Sequence, residues 1–301
     1  TLKIMRYYST KSELEKDVEP LIELEQQLIL NEELFIDYIN IKLNYLLVSS
    51  NFEEIESLLS LLNEYYDEMS DINKLLYLKT QSFINVSYMK SVENESKNID
   101  MILSHSPYNI NYGSFYVTLA LNYINLKDRI KALKCSEIAT ELFQRDMNLV
   151  GQIKAANIKI MLLMENRKYK EALDLLLITY ENCKNLKQNR EMFISLFNII
   201  NCYLAINDKT NAIKYWNIVK RKILNVDDLE LRKCFISNTS ICLLTNFEYF
   251  ELTTQLDELI DMLNSYGPYD NITINNLLKY HSITDVDEKI EFIETELLSS
   301  L

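Results

Sequence analysis

RIKAL at 129–133, YKEAL at 169–173 and TNAI at 210–213 are near-copies of one phrase, and their alanines, Ala132, Ala172 and Ala212, stand 40 residues apart. Self-similarity at a fixed spacing marks a repeated structural unit. Extending the register outward adds Ile55, Val92 and Tyr249, giving six anchors separated by 37, 40, 40, 40 and 37 residues. Positions +3, +7, +10 and +11 from an anchor share one helical face. They read Leu58, Leu62, Tyr65 and Tyr66 in the first unit, Cys135, Ala139, Leu142 and Phe143 in the third, and Leu252, Leu256, Leu259 and Ile260 in the last. The second unit reads Glu95, Ile99, Ile102 and Leu103, with the glutamate a misfit. Upstream, position −9 is Leu46, Phe83, Tyr123, Leu163, Tyr203 and Ser240, and position −8 is apolar in all six units, from Leu47 and Ile84 to Ile241. Each unit therefore predicts two amphipathic helices whose apolar stripes face one another.

Composition agrees. Only 3 Gly and 3 Pro occur in 301 residues, 48% of which are hydrophobic, so long stretches lack the punctuation that a sheet requires. Asn51, Asp128 and Asp208 sit where the second helices of three units should start, as capping residues do. The chain divides into a leading helix within 1–31 with a possible capping box from Thr10 to Glu13, the repeats over 32–266, and C-terminal capping helices over 267–301, after Gly267-Pro268. The expected class is all-α.

The sequence carries little that points to chemistry. His105 and His281 lie far apart, each without a ligand partner at helical spacing, and five cysteines form no CxxC pair, so no metal and no cofactor is expected. The odd number of cysteines, most on apolar faces, suits a reducing cytoplasm. The net charge of −13, without a Lys/Arg cluster, argues against nucleic-acid binding by this stretch. No apolar run is long enough to span a membrane and no signal peptide is visible. The chain is expected to be a cytoplasmic protein that acts by binding and not as an enzyme.

Positions −15, −11 and −7 from the anchors follow one another at i, i+4 and form a stripe beside the buried one. Position −15 reads Asn40, Tyr77, Val117, Asn157, Phe197 and Cys234; −11 reads Asn44, Gln81, Leu121, Met161, Asn201 and Asn238; −7 reads Val48, Asn85, Asn125, Glu165, Ala205 and Cys242. Eight of these eighteen are Asn or Gln. A side-chain amide both donates and accepts, so a row of them matches the N–H and C=O groups of an extended peptide backbone. Leu121, Met161, Val117 and Phe197 would form an apolar floor between the amides, and Lys154, one turn before Asn157, would meet a carboxylate.

A bulky residue nine before a small one, with an apolar residue seven after it, resembles the tetratricopeptide consensus, whose period is about 34 residues. The resemblance implies a right-handed superhelical solenoid of about six helix pairs with capping helices at both ends, its concave face lined by the first helices. Such pairs with asparagines on their first helices, at Asn157, Asn201 and Asn238 and also Asn85 and Asn125, resemble the peptide-sensing part of the RRNPP quorum-sensing regulators of Gram-positive bacteria and their phages. That resemblance implies a short signalling peptide clamped in the groove by a set comprising Gln81, Asn85, Asn125, Lys154, Asn157, Asn201 and Asn238. It also implies a homodimer whose geometry the peptide shifts. DNA would be reached only through an N-terminal helix-turn-helix domain, which is not visible in a chain that begins at Thr1. Two other readings stand beside it. A Rap-type response-regulator phosphatase or sequestering protein would bring an N-terminal three-helix bundle, and only one leading helix is seen. A tetratricopeptide scaffold or adaptor with a carboxylate clamp would want Lys or Arg at −15 with Asn at −11, a pair that no unit shows in this register.

Overall fold

A computed structural model of the chain describes residues 32–49, 52–105, 109, 112–223 and the single positions 283, 288 and 292. Ten helices and one 3-10 turn make up the described residues, with no strand among them: α1 Glu32–Ser49, α2 Phe52–Glu64, α3 Asp71–Ser87, α4 Glu93–Ser104, α5 Gly113–Asn125, α6 Arg129–Arg145, α7 Leu149–Glu165, α8 Tyr169–Asn185, α9 Asn189–Ala205 and α10 Lys209–Ile223. In chain order they alternate as five first and five second helices, α1 and α2 through α9 and α10. The expected sixth unit with Asn238 and Tyr249, the leading helix, Asn51 and nearly all of 267–301 lie outside the described residues.

From α6 onward the helices begin at 129, 149, 169, 189 and 209, a half-repeat of 20 residues. The same turn sets that rhythm each time. Three residues separate consecutive helices from α5 to α10, and the middle one is left-handed: Lys127 (φ 61°), Met147 (52°), Arg167 (58°), Lys187 (56°) and Asn207 (61°). The following N–H reaches back to a carbonyl in the last helical turn, as in Asp128 N to Tyr123 O at 2.8 Å and Lys168 N to Leu163 O at 2.8 Å, which closes the Schellman pattern. Glycine is the usual residue at such a φ because it has no Cβ to clash. None of these turns uses it. Two of the expected caps form, with Asp128 Oδ1 accepting from Lys131 N at 3.1 Å and Asp208 Oδ1 from Asn211 N at 3.1 Å.

Among the described residues, the anchors mark equivalent places with one exception. Ile55, Ala132, Ala172 and Ala212 are each the fourth residue of α2, α6, α8 and α10, and all are 0% exposed. The fourth residue of α4 is Ser96, not Val92, which caps that helix. Ser96 N bonds Val92 O at 3.0 Å as Ala132 N bonds Asp128 O at 3.0 Å, and the Ser96 side chain is small and buried like the alanines. Counted from Ser96, the +3 and +7 places are Ile99 and Leu103, both buried, and the misfit at Glu95 disappears.

Five residues, 88–92, connect α3 to α4 where three suffice in the later pairs. Met89 takes the left-handed conformation (φ 54°), and Lys90 N bonds Asn85 O at 2.7 Å. Asn85 thus holds the place that Tyr123, Leu163 and Tyr203 hold in later units. The register over α3 is therefore shifted by two residues, about 200° around a helix at 100° per residue. Phe83, expected in the buried stripe, is 45% exposed as a result. Ten and six residues before the left-handed position lie Lys79 and Phe83 in α3, Val117 and Leu121 in α5, Asn157 and Met161 in α7, and Phe197 and Asn201 in α9.

The chain separates into two compact units, 1–162 and 163–301. In the first, the core runs from Ile39 and Leu43 through Leu62, Leu75 and Phe115 to Leu142 and Phe143. Gly113 and Gly151, distant in sequence, flank the Phe143 ring. A Cβ on Gly113 would lie 2.7 Å from the ring, and one on Gly151 closer still, so only glycine lets the α5 and α7 backbones approach it. Buried polar side chains stitch neighbouring helices together, with Asn73 Nδ2 donating to Asp37 Oδ1 at 2.9 Å and Ser136 Oγ to Ala155 O at 3.1 Å. In the second unit α8, α9 and α10 bury Leu176, Cys183, Phe193, Ile199, Ile200 and Trp216, while Tyr203 and Tyr215 stack with centroids 5.6 Å apart.

Candidate functional site

First helices of the first unit enclose a cavity of about 420 Å³. Leu47 of α1, Lys79, Ser82, Phe83 and Val86 of α3, Ser114, Val117, Thr118, Leu121, Asn122 and Asn125 of α5, Phe143 of α6 and Lys154 of α7 line it. Most of its wall surface is apolar, as in sites that bind small ligands, although polar side chains alternate with apolar ones along it. Asn122 Nδ2 donates to Ser82 Oγ at 2.9 Å, and this buried bond ties α3 to α5 beside the cavity. Asn125 Nδ2 donates to Leu121 O at 2.9 Å, one turn back on its own helix.

The two cations are the unusual feature. Among the described lining residues there is no Asp or Glu, and Lys79 and Lys154 both line the cavity. Burial, and then the charge of Lys154, lower the Lys79 ammonium from its usual 10.5 to about 8. Lys79 retains most of its charge at neutral pH.

The residues expected on one stripe divide between places. Asn125 and Lys154 line the cavity, with Val117 and Leu121 of the expected apolar floor. Gln81 and Asn85 face the other way, as the slip over α3 requires. They line a smaller polar cleft against α2, with Glu56, Asn63, Tyr77 and Lys90, and Gln81 Nε2 donates to Asn85 Oδ1 at 3.4 Å. Asn157 is half-buried on α7, three residues after Lys154 and outside the cavity lining, and Met161 is exposed on the same helix. Asn201 and Phe197 are half-buried on α9 in the second unit. Asn238 lies outside the described residues.

Sequence reasoning did not place Lys79, Phe83 or Asn122 at the site. For the first two a signal existed: Glu95 on an apolar stripe with a small residue, Ser96, next to it. Asn122 falls outside the i, i+4 stripe and becomes visible only through its bond to Ser82.

The described cysteines are core residues. Burial pushes the Cys135 thiol up to about 12, with Asp100 adding to it, and those of Cys183 and Cys202 to about 11. Among the described residues no group of His, Cys, Asp and Glu could hold a metal ion, and no helix is long and apolar enough to cross a membrane.

No family model and no curated protein sequence matches the chain. Solved structures do. The apo form of the quorum sensor NprR from B. thuringiensis superposes with a TM-score of 0.71 at 19% identity, over 98% of this chain and 84% of that one. The chain shares its fold. NprR in complex with its cognate peptide NprX gives a TM-score of 0.60 at 19% identity, over 99% and 87% of the two chains. A Rap protein complexed with Competence and Sporulation Factor gives 0.69 at 13% identity, over 99% and 86%. NprR and Rap both belong to the RRNPP group that the asparagine pattern resembles, so the tetratricopeptide-like fold inferred from the anchors is the one found.

Proposed function

We propose that the chain is the peptide-sensing part of an RRNPP-type regulator, and that a short signalling peptide binds in the cavity of the first unit. One observation carries the reading: a mostly apolar cavity lined by α1, α3, α5 and α7, on a fold shared with a sensor solved with its peptide. Phe83, Val117 and Leu121 would receive apolar side chains, Asn125 and Lys154 would bind polar groups, and Asn157 would extend the contact along α7. Asn201, with Asn238 beyond the described residues, would be an amide position of the second unit. Gln81 and Asn85, turned towards α2, are left out of the site.

In the fuller reading the protein is cytoplasmic and homodimeric. It reaches DNA through a helix-turn-helix domain outside this chain, and peptide binding shifts the population between two conformations. The test is affinity selection of a pooled library of short synthetic peptides on the chain, followed by titration calorimetry of those retained. Saturable binding at one site, weakened by Leu121→Asp, is the expected result. Failure to retain any peptide would remove the proposal. The Rap likeness supports a second reading, in which the partner is a response regulator. Peptide-sensitive loss of phosphate from a phosphorylated receiver domain would decide for it.

A further inference from the structure

Six residues, 65–70, with a 3-10 turn at Tyr66–Glu68, join α2 to α3, against three at each connection from α5 to α10. Between these two helices lies the polar cleft, about 320 Å³ in volume, on the side of α3 turned away from the cavity. Tyr77, Gln81 and Asn85 follow one another at i, i+4 along its α3 wall, and Asn63 belongs to its α2 wall. The Tyr77 hydroxyl donates to Asn63 Oδ1 at 3.3 Å, and Gln81 Nε2 donates to Asn85 Oδ1 at 3.4 Å. Among the described residues these bonds leave three amide groups without a protein partner: Gln81 Oε1 as an acceptor, and Nδ2 of Asn63 and of Asn85 as donors. The two charges in the described lining are already engaged. Glu56 accepts from the Tyr88 hydroxyl, and Lys90 Nζ lies 5.2 Å from the centroid of the same ring.

The spacing of these groups selects a ligand. At 1.5 Å rise per residue, Gln81 and Asn85 stand about 6 Å apart along α3. An extended chain repeats its same-side peptide groups every two residues, about 6.8 Å. An acceptor at Gln81 and a donor at Asn85 therefore match an N–H and a C=O on one edge of such a chain. From Tyr77 to Asn85 the wall runs about 12 Å, room for roughly three to four extended residues. A flat ring fits less well. Tyr77 is 8% exposed and packs T-shaped on Tyr66 with centroids 5.4 Å apart, so its face is not offered for stacking.

We propose that the α2–α3 cleft is a second binding site, which takes an uncharged, extended segment of a partner polypeptide through its main chain. Gln81 Oε1 accepts from a main-chain N–H, Asn85 Nδ2 donates to a carbonyl, and Asn63 Nδ2 adds a donor from α2. The site is separate from the cavity and does not rest on the peptide-sensing reading.

The probe is acetyl-tetraglycine amide, a main chain with neither side chains nor charge. Its control is acetyl-tetrasarcosine amide, in which N-methylation removes every main-chain N–H of the four residues. Binding is followed on the full chain labelled with 15N at Asn and Gln, through the side-chain amide resonances in NMR titration. The glycine probe shifts Gln81, Asn85 and Asn63 saturably, and the sarcosine probe does not. Asn85→Asp, which loses the donor, weakens binding about threefold to tenfold, whereas Gln81→Glu, which keeps an acceptor, does not. Leu121→Asp in the cavity leaves the response unchanged. Equal shifts with both probes, shifts at Asn122 and Asn125 in place of the cleft amides, or an Asn85→Asp chain that binds like the wild type would each overturn the proposal. Peptides retained by affinity selection, present at saturation, do not displace the glycine probe, and displacement would overturn the claim of a separate site. The glycine titration needs no retained peptide, so the two readings fail separately.

Discussion

Helices α5 to α10 and the pair α3–α4 are built from the same half-repeat but carry their side chains differently. In the later helices a three-residue turn recurs every 20 residues, so the offset from an alanine anchor names the same direction each time. Between α3 and α4 two additional residues intervene, and offsets counted across them point to the opposite face. A repeat thus transmits its periodicity through connection length as much as through the helices. A change of two residues in a loop can exchange a groove for a back wall without altering either helix.

The comparison can be tested first at two phenylalanines. Phe143→Ala, in the regular half and between two glycines, is expected to cost about 3–5 kcal/mol in urea unfolding. Phe83→Ala should change stability by no more than about 0.5–1 kcal/mol, because its ring is already nearly half in solvent. Equal losses at both would restore the register counted from Val92. The small buried positions offer a second check. Ser96→Leu and Ala172→Leu should each cost about 1–3 kcal/mol by overpacking. A silent Ser96→Leu would mean that α4 is not in phase with α8.

Lys79 gives the third, with the opposite sign. Replacing it with Met should stabilise the unliganded chain at pH 7 by roughly 1–3 kcal/mol, since a half-buried charge that its surroundings disfavour is removed. The folded chain releases this proton near pH 8 and the unfolded chain near 10.5. Between those values the unfolded state binds the additional proton, so the wild-type chain gains stability as pH rises and the advantage of Lys79→Met shrinks. Below pH 8 the advantage is present in full. A difference independent of pH from 7 to 10.5 would place the ammonium in water. The smallest effect is at the turns: Arg167→Gly or Lys187→Gly should add up to about 1 kcal/mol by relieving a left-handed non-glycine residue, visible as a small rise in Tm.

Much of the fold was legible because its signals are local. Alanines at fixed intervals, apolar stripes at helical spacing and aspartates at helix starts are all written within one unit, and Ala132, Ala172, Asp128 and Asp208 take the places they predict. The turns were less legible, since Lys127, Met147 and Arg167 do not announce a positive φ as glycine would. The cavity was half legible. Val117, Leu121, Asn125 and Lys154 follow from the alanine register, but Lys79 and Phe83 require the length of a loop that only Glu95 and Ser96 hinted at. The Ser82–Asn122 bond was not legible, because two residues 40 apart meet only when helices from successive pairs stack.

The 20-residue half-repeat also limits how such a chain can lengthen. Duplicating 40 residues inserts a complete hairpin and preserves the alternation of first and second helices. Duplicating 20 reverses that parity for everything downstream, so that a first helix falls where a second helix is expected. Growth by whole pairs therefore keeps every helix in its place in the alternation.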